Sequence, residues 1–257
     1  MTAAYLYGLL RCDTLGARLA RHPIDGAFGP VQALAMDGAV LAMTPHDGQP
    51  VPQRRRYLMA HARVLEVLMS HGPVLPFRFG HVVRDTAHLS GMLRAAKAQI
   101  TRNFTRIEGH AEVGLRVEFD RTAALQATLA AAPGLARQRD ALLARGGGGR
   151  LAQIELGRRV AEALEARRTV CQHALLRRLA PLARAHVLHP PEDDVQVLRA
   201  AFLLPETAVE AFSQAADQAA SACDFAGAPP HLRLVHPTPP FNFVSFSLAA
   251  EPDPEVV

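Results

Sequence analysis

The sequence is short of several residue types that mark particular classes of protein. Its 257 residues include no tryptophan, three cysteines, 5% aromatic residues and a single lysine, Lys97. Charged residues make up 20% and the net charge is +4, so the composition does not indicate a nucleic-acid-binding protein. Because arginine supplies nearly every surface cation, its abundance does not by itself indicate a phosphate or carboxylate site.

Long hydrophobic runs and paired cysteines are also missing. No stretch reaches the ~18 uninterrupted apolar residues of a membrane-spanning helix, and residues 1–10 lack the basic start and long apolar run of a secretory signal. Cys12, Cys171 and Cys223 lie far apart and form no Cys-x-x-Cys pair, so we expect reduced thiols. Together these absences predict a cytoplasmic protein with no membrane partner.

Hydrophobic residues nevertheless make up 49% of the chain, and their spacing predicts regular elements in the first half. We expect a buried strand, a hairpin, two helices and a further strand, at residues 5–10, 33–43, 54–70, 85–100 and 112–119. The hairpin turn is Asp37-Gly38, a dipeptide that readily takes positive φ. In the last strand apolar and polar residues alternate, which places Glu112 on the solvent face.

The second half predicts another set of elements. These are two short helices, a long helix, two strands, a helix and a last strand, at residues 121–145, 151–182, 185–189, 195–204, 205–222 and 231–235. Four glycines at 146–149 indicate a flexible joint. The order helix, strand, strand, helix, strand is typical of ferredoxin-like domains.

We therefore predict an α+β protein with two domains. The N-terminal domain, residues 1–145, would contain a mixed sheet with helices. The C-terminal domain, residues 151–257, would be ferredoxin-like, would open with the long helix and would end in a tail rich in proline and aromatic residues.

Patterns that indicate catalysis or metal binding are absent from the sequence. The glycine run lacks the Gly-Lys-Ser/Thr ending of a phosphate-binding loop, and no Gly-x-Ser-x-Gly motif occurs. His186 and His189 lie three apart in a predicted strand, where their side chains face opposite sides. The sequence therefore predicts no catalytic, cofactor-binding or metal-binding residues.

Two segments stand out as candidate binding or structural motifs. The first contains Pro76, Phe77, Arg78, Phe79 and Gly80, and the second contains Pro239, Pro240, Phe241 and Phe243. The arginine between two phenylalanines is either a buried group paired with a carboxylate in a core strand or part of a surface that recognises a partner. The second segment is read as a clamp that folds back on the body of the protein, with an exposed partner site as the alternative.

With Tyr5-Leu6-Tyr7-Gly8 near the start and His61 in the helix predicted at residues 54–70, these segments resemble the gas vesicle protein F/L family. The resemblance follows the order of that family and covers essentially the whole chain. Three features depart from the family pattern. His81 replaces a small hydroxyl residue, His236 and Thr238 replace a glycine and an aromatic residue, and Phe241 stands where tyrosine is frequent.

The resemblance implies a gas vesicle accessory protein located in the cytoplasm and at the gas vesicle. It implies binding to the hydrophobic major gas vesicle shell protein A, protection of that subunit from aggregation, help in nucleating the vesicle, and retention as a minor vesicle component. Other gas vesicle accessory proteins are implied as further partners, and neither enzyme activity nor a cofactor is implied. The competing hypothesis is an enzyme that binds a nucleotide or carboxylate through Arg78. An RNA-binding module would need a basic face that this sequence lacks.

Overall fold

The computed structural model describes residues 3–12, 14–36, 38–147, 149–246 and 248. Helices and strands are mixed along the chain, and the expected α+β class is confirmed. The strands are β1 (Ala3–Leu10), β2 (Asp25–Gly26), β3 (Gly29–Pro30), β4 (Gln32–Met36), β5 (Ala39–His46), β6 (Val74–Pro76), β7 (Val82–Val83), β8 (His110–Glu118), β9 (Ala185–Leu188), β10 (Gln196–Pro205) and β11 (His231–Thr238). The helices are α1 (Leu15–Arg21), α2 (Arg55–Met69), α3 (Leu89–Ala95), α4 (Lys97–Ile107), α5 (Arg121–Ala131), α6 (Pro133–Ala144), α7 (Arg150–Leu179) and α8 (Val209–Ser221).

Residue contacts divide the chain into two units. The first unit comprises residues 1–112 and 237–257, and the second comprises residues 113–236. This division differs from the expected one at residues 146–149, because β8 and α5 share one apolar core with α7 and β10. The glycine run instead joins α6 to α7 within the second unit, with positive φ at Gly146 and Gly147.

The sheet of the first unit has the strand order β4-β5-β1-β6, and β7 also pairs with β1. All four pairings are antiparallel. β1 lies inside the sheet between β5 and β6, and its residues from Ala4 to Leu10 are all buried. Gly8 allows β6 to approach closely, since a Cβ atom there would lie 2.7 Å from Val74 Cγ1.

The predicted hairpin is formed by β4 and β5, which pair antiparallel up to Met36 opposite Ala39. Asp37, the first residue of the expected turn, lies outside the described residues. Gly38 has a φ of +78°, a conformation that glycine adopts without steric cost. The elements that build this sheet follow the order β1, α1, β4, β5, α2, β6, which is a strand-helix-strand-strand-helix-strand series.

The sheet of the second unit has the strand order β11-β8-β10-β9. Its elements also follow a strand-helix-strand-strand-helix-strand series, in which α5, α6 and α7 together form the first helical connection. The expected ferredoxin-like order is therefore present, but its first strand is β8, which precedes the glycine run. Asp120 caps α5 by accepting a hydrogen bond from Ala123 N at 2.8 Å, and Pro133 begins α6.

Two local expectations need correction. Cys171 on α7 and Cys223 after α8 form a disulfide, with their Cα atoms 6.0 Å apart, so only Cys12 is a free thiol. Sequence spacing gave no sign of this pairing, because 52 residues separate the two cysteines. The helix expected over residues 85–100 is two helices, α3 and α4, divided at Ala96.

Candidate functional site

Three regions that carry the family resemblance, namely the Tyr5 strand, His61 and the segment after β6, meet in the first unit through one chain of hydrogen bonds. Tyr5 from β1 donates its hydroxyl proton to His61 Nδ1 of α2 at 2.7 Å. His61 Nε2 donates to the backbone oxygen of Phe77 at 3.1 Å, just after β6. Gly80 N lies 3.4 Å from the Tyr5 hydroxyl and donates to it. The chain thus joins the first strand, the second helix and the segment after β6.

His61 is buried, with 4% of its surface exposed, and both of its ring nitrogens are engaged. Burial lowers the pKa of His61 from 6.5 to about 4, and the bond to Phe77 only partly opposes this effect. The ring is therefore neutral at pH 7, which fits one donor and one acceptor nitrogen. These features make His61 a residue that positions the segment after β6 rather than an acid or base open to a substrate.

The segment after β6 turns sharply and presents its side chains in different directions. Phe77 is buried and stacks on His81 with 4.9 Å between ring centroids, and Phe79 is half-buried. His81 N donates to Arg78 O at 3.2 Å, and Gly80 has a φ of +87°, which favours glycine. Arg78 is exposed and forms no ion pair with any described residue. The alternative of a buried arginine paired with a carboxylate is therefore wrong.

The tail folds back on the first unit, as the clamp hypothesis expected. Phe243 is 2% exposed, and the Arg106 guanidinium lies 5.8 Å from its ring centroid. Phe241 is half-buried against the apolar cluster that also contacts Phe79. Phe246 packs edge-on against Phe77, with ring centroids 5.1 Å apart. The two motif segments are thus close in space although more than 150 residues separate them.

Two buried polar side chains hold the tail on either side of Phe243. Glu112 accepts hydrogen bonds from the backbone N of Asn242 at 3.0 Å and from its side-chain Nδ2 at 2.6 Å. Asn103 on α4 donates to Ser245 O at 2.9 Å and accepts from Ser245 N at 3.2 Å. The tail backbone is therefore fixed by side chains as well as by apolar packing.

Neither of these side chains was predicted to hold the tail. Glu112 was expected on the solvent face of β8, but it is 2% exposed, because the inside-outside alternation breaks at Glu112 and Val113, which are both buried. Burial raises the pKa of Glu112 to about 6, against the opposing effect of the Asn242 hydrogen bonds. A signal was available for Asn103, a polar residue on the helix face that carries Ile100 and Phe104.

Neither a metal centre nor a membrane span is found in the part of the chain that the structure describes. No group of three or more histidine, cysteine, aspartate or glutamate side chains is arranged there to hold a metal ion. None of the described helices is both long enough and apolar enough to cross a membrane. His186 lies in β9 and His189 directly follows it, and neither belongs to a group of described side chains that could hold a metal ion.

The family of gas vesicle synthesis proteins GvpL/GvpF has a sequence profile that matches residues 3–245. The chain belongs to this family. Gas vesicle protein F of Streptomyces sp. (strain CB03234) is 28% identical over 243 residues, which cover 94% of this chain and 99% of that protein. Gas vesicle protein F of Dolichospermum flosaquae is 28% identical over 216 residues, which cover 82% of this chain and 85% of that protein.

Solved structures give the same assignment. The crystal structure of the gas vesicle protein GvpF from Anabaena sp. PCC7120 matches with a TM-score of 0.81 and 25% identity, and the match covers 96% of this chain and 100% of that one. GvpF from Microcystis aeruginosa shares the fold, with a TM-score of 0.74 and 24% identity over the same shares. The resemblance inferred from the motifs is confirmed, and the chain is a gas vesicle protein by family.

Proposed function

We propose that this chain binds the hydrophobic major shell subunit of the gas vesicle, limits its aggregation and helps nucleate the vesicle, in the cytoplasm and without nucleotide. The observation that carries the proposal is the match to the gas vesicle GvpL/GvpF family over residues 3–245. A match over nearly the whole chain supports a shared role more strongly than one short motif would. Retention in the finished vesicle and binding to other accessory proteins belong to the same proposal.

The motif segments of the first unit support a binding role over a catalytic one. Tyr5 and His61, and Glu112 which holds the tail, form hydrogen bonds with other parts of the same unit. Arg78 is a charged group that this region presents to solvent, on a segment fixed by the buried chain of hydrogen bonds. We propose that Arg78 and the half-buried rings of Phe79 and Phe241 contribute to the surface that meets the partner.

Apolar contacts should dominate this binding, because the proposed partner is apolar and the net charge of this chain is only +4. Salt at 1 M shortens the Debye length to about 3 Å and screens exposed ion pairs, but it does not weaken apolar contacts. The proposal therefore expects binding that persists at high salt and does not change with ATP.

A capture experiment with purified proteins tests the proposal. The tagged full-length chain is mixed with the major shell subunit at low and at high salt, each with and without ATP. We expect capture of the shell subunit under all four conditions. Absence of capture under all four would refute the proposed function, and capture that depends on ATP would favour the nucleotide-binding alternative.

A further inference from the structure

A cavity of about 390 Å³ opens on the first unit beside α3 and α4. Its floor is apolar and consists of buried side chains from β1, α3 and α4, namely Leu9, Leu93, Ile100 and Phe104. The volume lies within the ~300–1,000 Å³ range of ligand pockets. A floor of this kind accepts an aliphatic or aromatic group, and Ser90 and Thr101 line the cavity beside it.

The rim of the cavity is cationic. Arg11, Arg94 and Lys97 line it, and all three are exposed. The Arg11 guanidinium lies 4.8 Å from the centroid of the Phe104 ring, a cation–π distance that holds it against the wall. Neither arginine forms an ion pair with a residue that the structure describes, and no described carboxylate lines the cavity. The two arginines of the rim therefore have positive charge available for an anionic group.

The apolar floor and the cationic rim of the cavity together favour a ligand that carries a carboxylate next to an apolar group. We infer that this cavity receives an apolar side chain of the major shell subunit, with a neighbouring carboxylate of the same polypeptide segment at the arginines of the rim. This inference rests on the proposed function and adds to it a location and a recognition chemistry. Charge complementarity gives the orientation of the segment, and burial of the apolar side chain gives most of the affinity.

The two contributions differ in size and in their response to salt. Full burial of one apolar side chain corresponds to about a tenfold to hundredfold gain in affinity. An exposed ion pair contributes at most about fivefold, and salt reduces this further. Filling the cavity should therefore weaken capture at any salt concentration, whereas reversing a rim charge should matter mainly at low salt.

Thr101 provides a variant that fills the cavity. It lines the cavity from the exposed side of α4, and Thr105 lies one turn further along the same helix, exposed and outside the cavity. We expect Thr101→Trp to weaken capture of the shell subunit at least tenfold at low and high salt, and Thr105→Trp to capture like the unmodified chain. Thermal melting followed by circular dichroism establishes that both variants are folded.

Arg94 provides the charge test, with Arg102 on α4 as the matched exposed arginine outside the cavity. Arg94→Glu should weaken capture by up to about fivefold at low salt and less at 1 M salt, while Arg102→Glu should have no effect. Equal capture by folded Thr101→Trp and the unmodified chain would overturn this inference and leave the proposed function standing. Binding of sodium decanoate is measured in parallel. If Thr101→Trp loses decanoate binding but still captures the shell subunit, the cavity serves a small apolar acid and the inference is likewise overturned. Failure of the unmodified chain to capture the shell subunit would refute both proposals.

Discussion

The two units share an order of elements but are held together by different means. In each sheet the first strand of the series lies between the third and the fourth. In the first unit, buried polar side chains join segments that are far apart in sequence. His61 links β1 to the segment after β6, and Glu112 and Asn103 hold the tail.

The second unit combines local and long-range hydrogen bonds with a covalent link. Thr128 donates to Ala124 O within its own helix, and Arg168 pairs with Glu165 three residues away. Long-range hydrogen bonds are present as well, since Gln196 donates to Glu118 at 2.8 Å and Arg167 donates to Phe225 O at 2.9 Å. The disulfide between Cys171 and Cys223 adds a covalent link between α7 and the segment after α8. The same topology is therefore stabilised by the buried titratable groups His61 and Glu112 in the first unit and has a covalent cross-link in the second, so pH and reductant should act on different units.

Removal of the tail should give the largest effect, and it should fall on the first unit. Deleting residues 237–257 removes Phe243 from its buried position and leaves Glu112 and Asn103 without their tail partners. Burial of two phenylalanine-sized side chains is worth about 3–6 kcal/mol. We expect the free energy of unfolding to fall by about this amount in urea titrations.

A pair of point variants tests whether the packing of Phe243, and not only the length of the chain, stabilises the first unit. Phe243→Ala should cost about 3–5 kcal/mol, whereas Val235→Ala, at a residue exposed by 43%, should change stability by less than about 0.5 kcal/mol. An unchanged urea midpoint after truncation would mean that the tail is not part of the folded unit.

Loss of the disulfide should act on the second unit. A cross-link between cysteines 52 residues apart stabilises a protein by about 2–4 kcal/mol. We expect Cys223→Ser to accelerate hydrogen exchange in α7 and α8 and to leave β1 and α2 protected, while Cys12→Ser should change neither. Thiol titration of the denatured, unreduced chain should find one thiol, and a count of three would contradict the pairing.

Acidification should act on the first unit through His61 and Glu112 with opposite signs, and burial also lowers the pKa of His81, which therefore acts in the same direction as His61. The pKa of His61 is about 4 when folded and 6.5 ordinarily, so the unfolded chain binds the proton first and stability falls by about 3 kcal/mol as the pH drops from 6.5 to 4. The pKa of Glu112 is raised from 4.5 to about 6, so the folded chain binds the proton first and stability rises by about 2 kcal/mol between pH 6 and 4.5.

Glu112→Gln should remove the gain in stability that protonation of Glu112 gives on acidification. Between pH 7 and 4.5 the variant should lose about 2 kcal/mol more stability than the unmodified chain, measured by urea unfolding at each pH. Glu108→Gln, at an exposed position nearby, should follow the unmodified chain. Parallel pH profiles for all three proteins would show that Glu112 does not titrate as the structure indicates.

Substitution of Arg78 should have the smallest effect on stability. Because the side chain is exposed, Arg78→Ala should shift the free energy of unfolding by no more than about 0.5 kcal/mol. Capture of the shell subunit should weaken, and Arg102→Ala should leave it unchanged. A folded Arg78→Ala variant with full capture would remove Arg78 from the proposed binding surface.

Local patterns in the sequence predicted most elements of the fold. The alternation of residues 112–119 and the helical spacing of residues 151–182 correspond to β8 and α7. We predicted a domain boundary at the glycine run because glycine runs are common in linkers. The contact-based division instead follows β8, which pairs with strands more than 70 residues away in the sequence. Such long-range pairing leaves no local signal, and the same holds for the disulfide.

The candidate site was predicted in part. The motif segments were found from their composition, and their convergence on Tyr5 and His61 required the structure. The cationic cavity had no sequence signal, because Arg11 and Arg94 come from separate elements and arginine is abundant throughout the chain. Exposure of Arg78 could not be decided from the alternation of an extended segment, since the segment turns at Gly80.

The most direct test of the central claim measures the shell subunit itself. Denatured major shell subunit is diluted into buffer with an equimolar amount of this chain, or with an unrelated protein of equal mass, and light scattering is followed before size-exclusion chromatography. We expect scattering to be suppressed only by this chain and the two proteins to elute together. Equal scattering in both mixtures, with no joint elution, would contradict it.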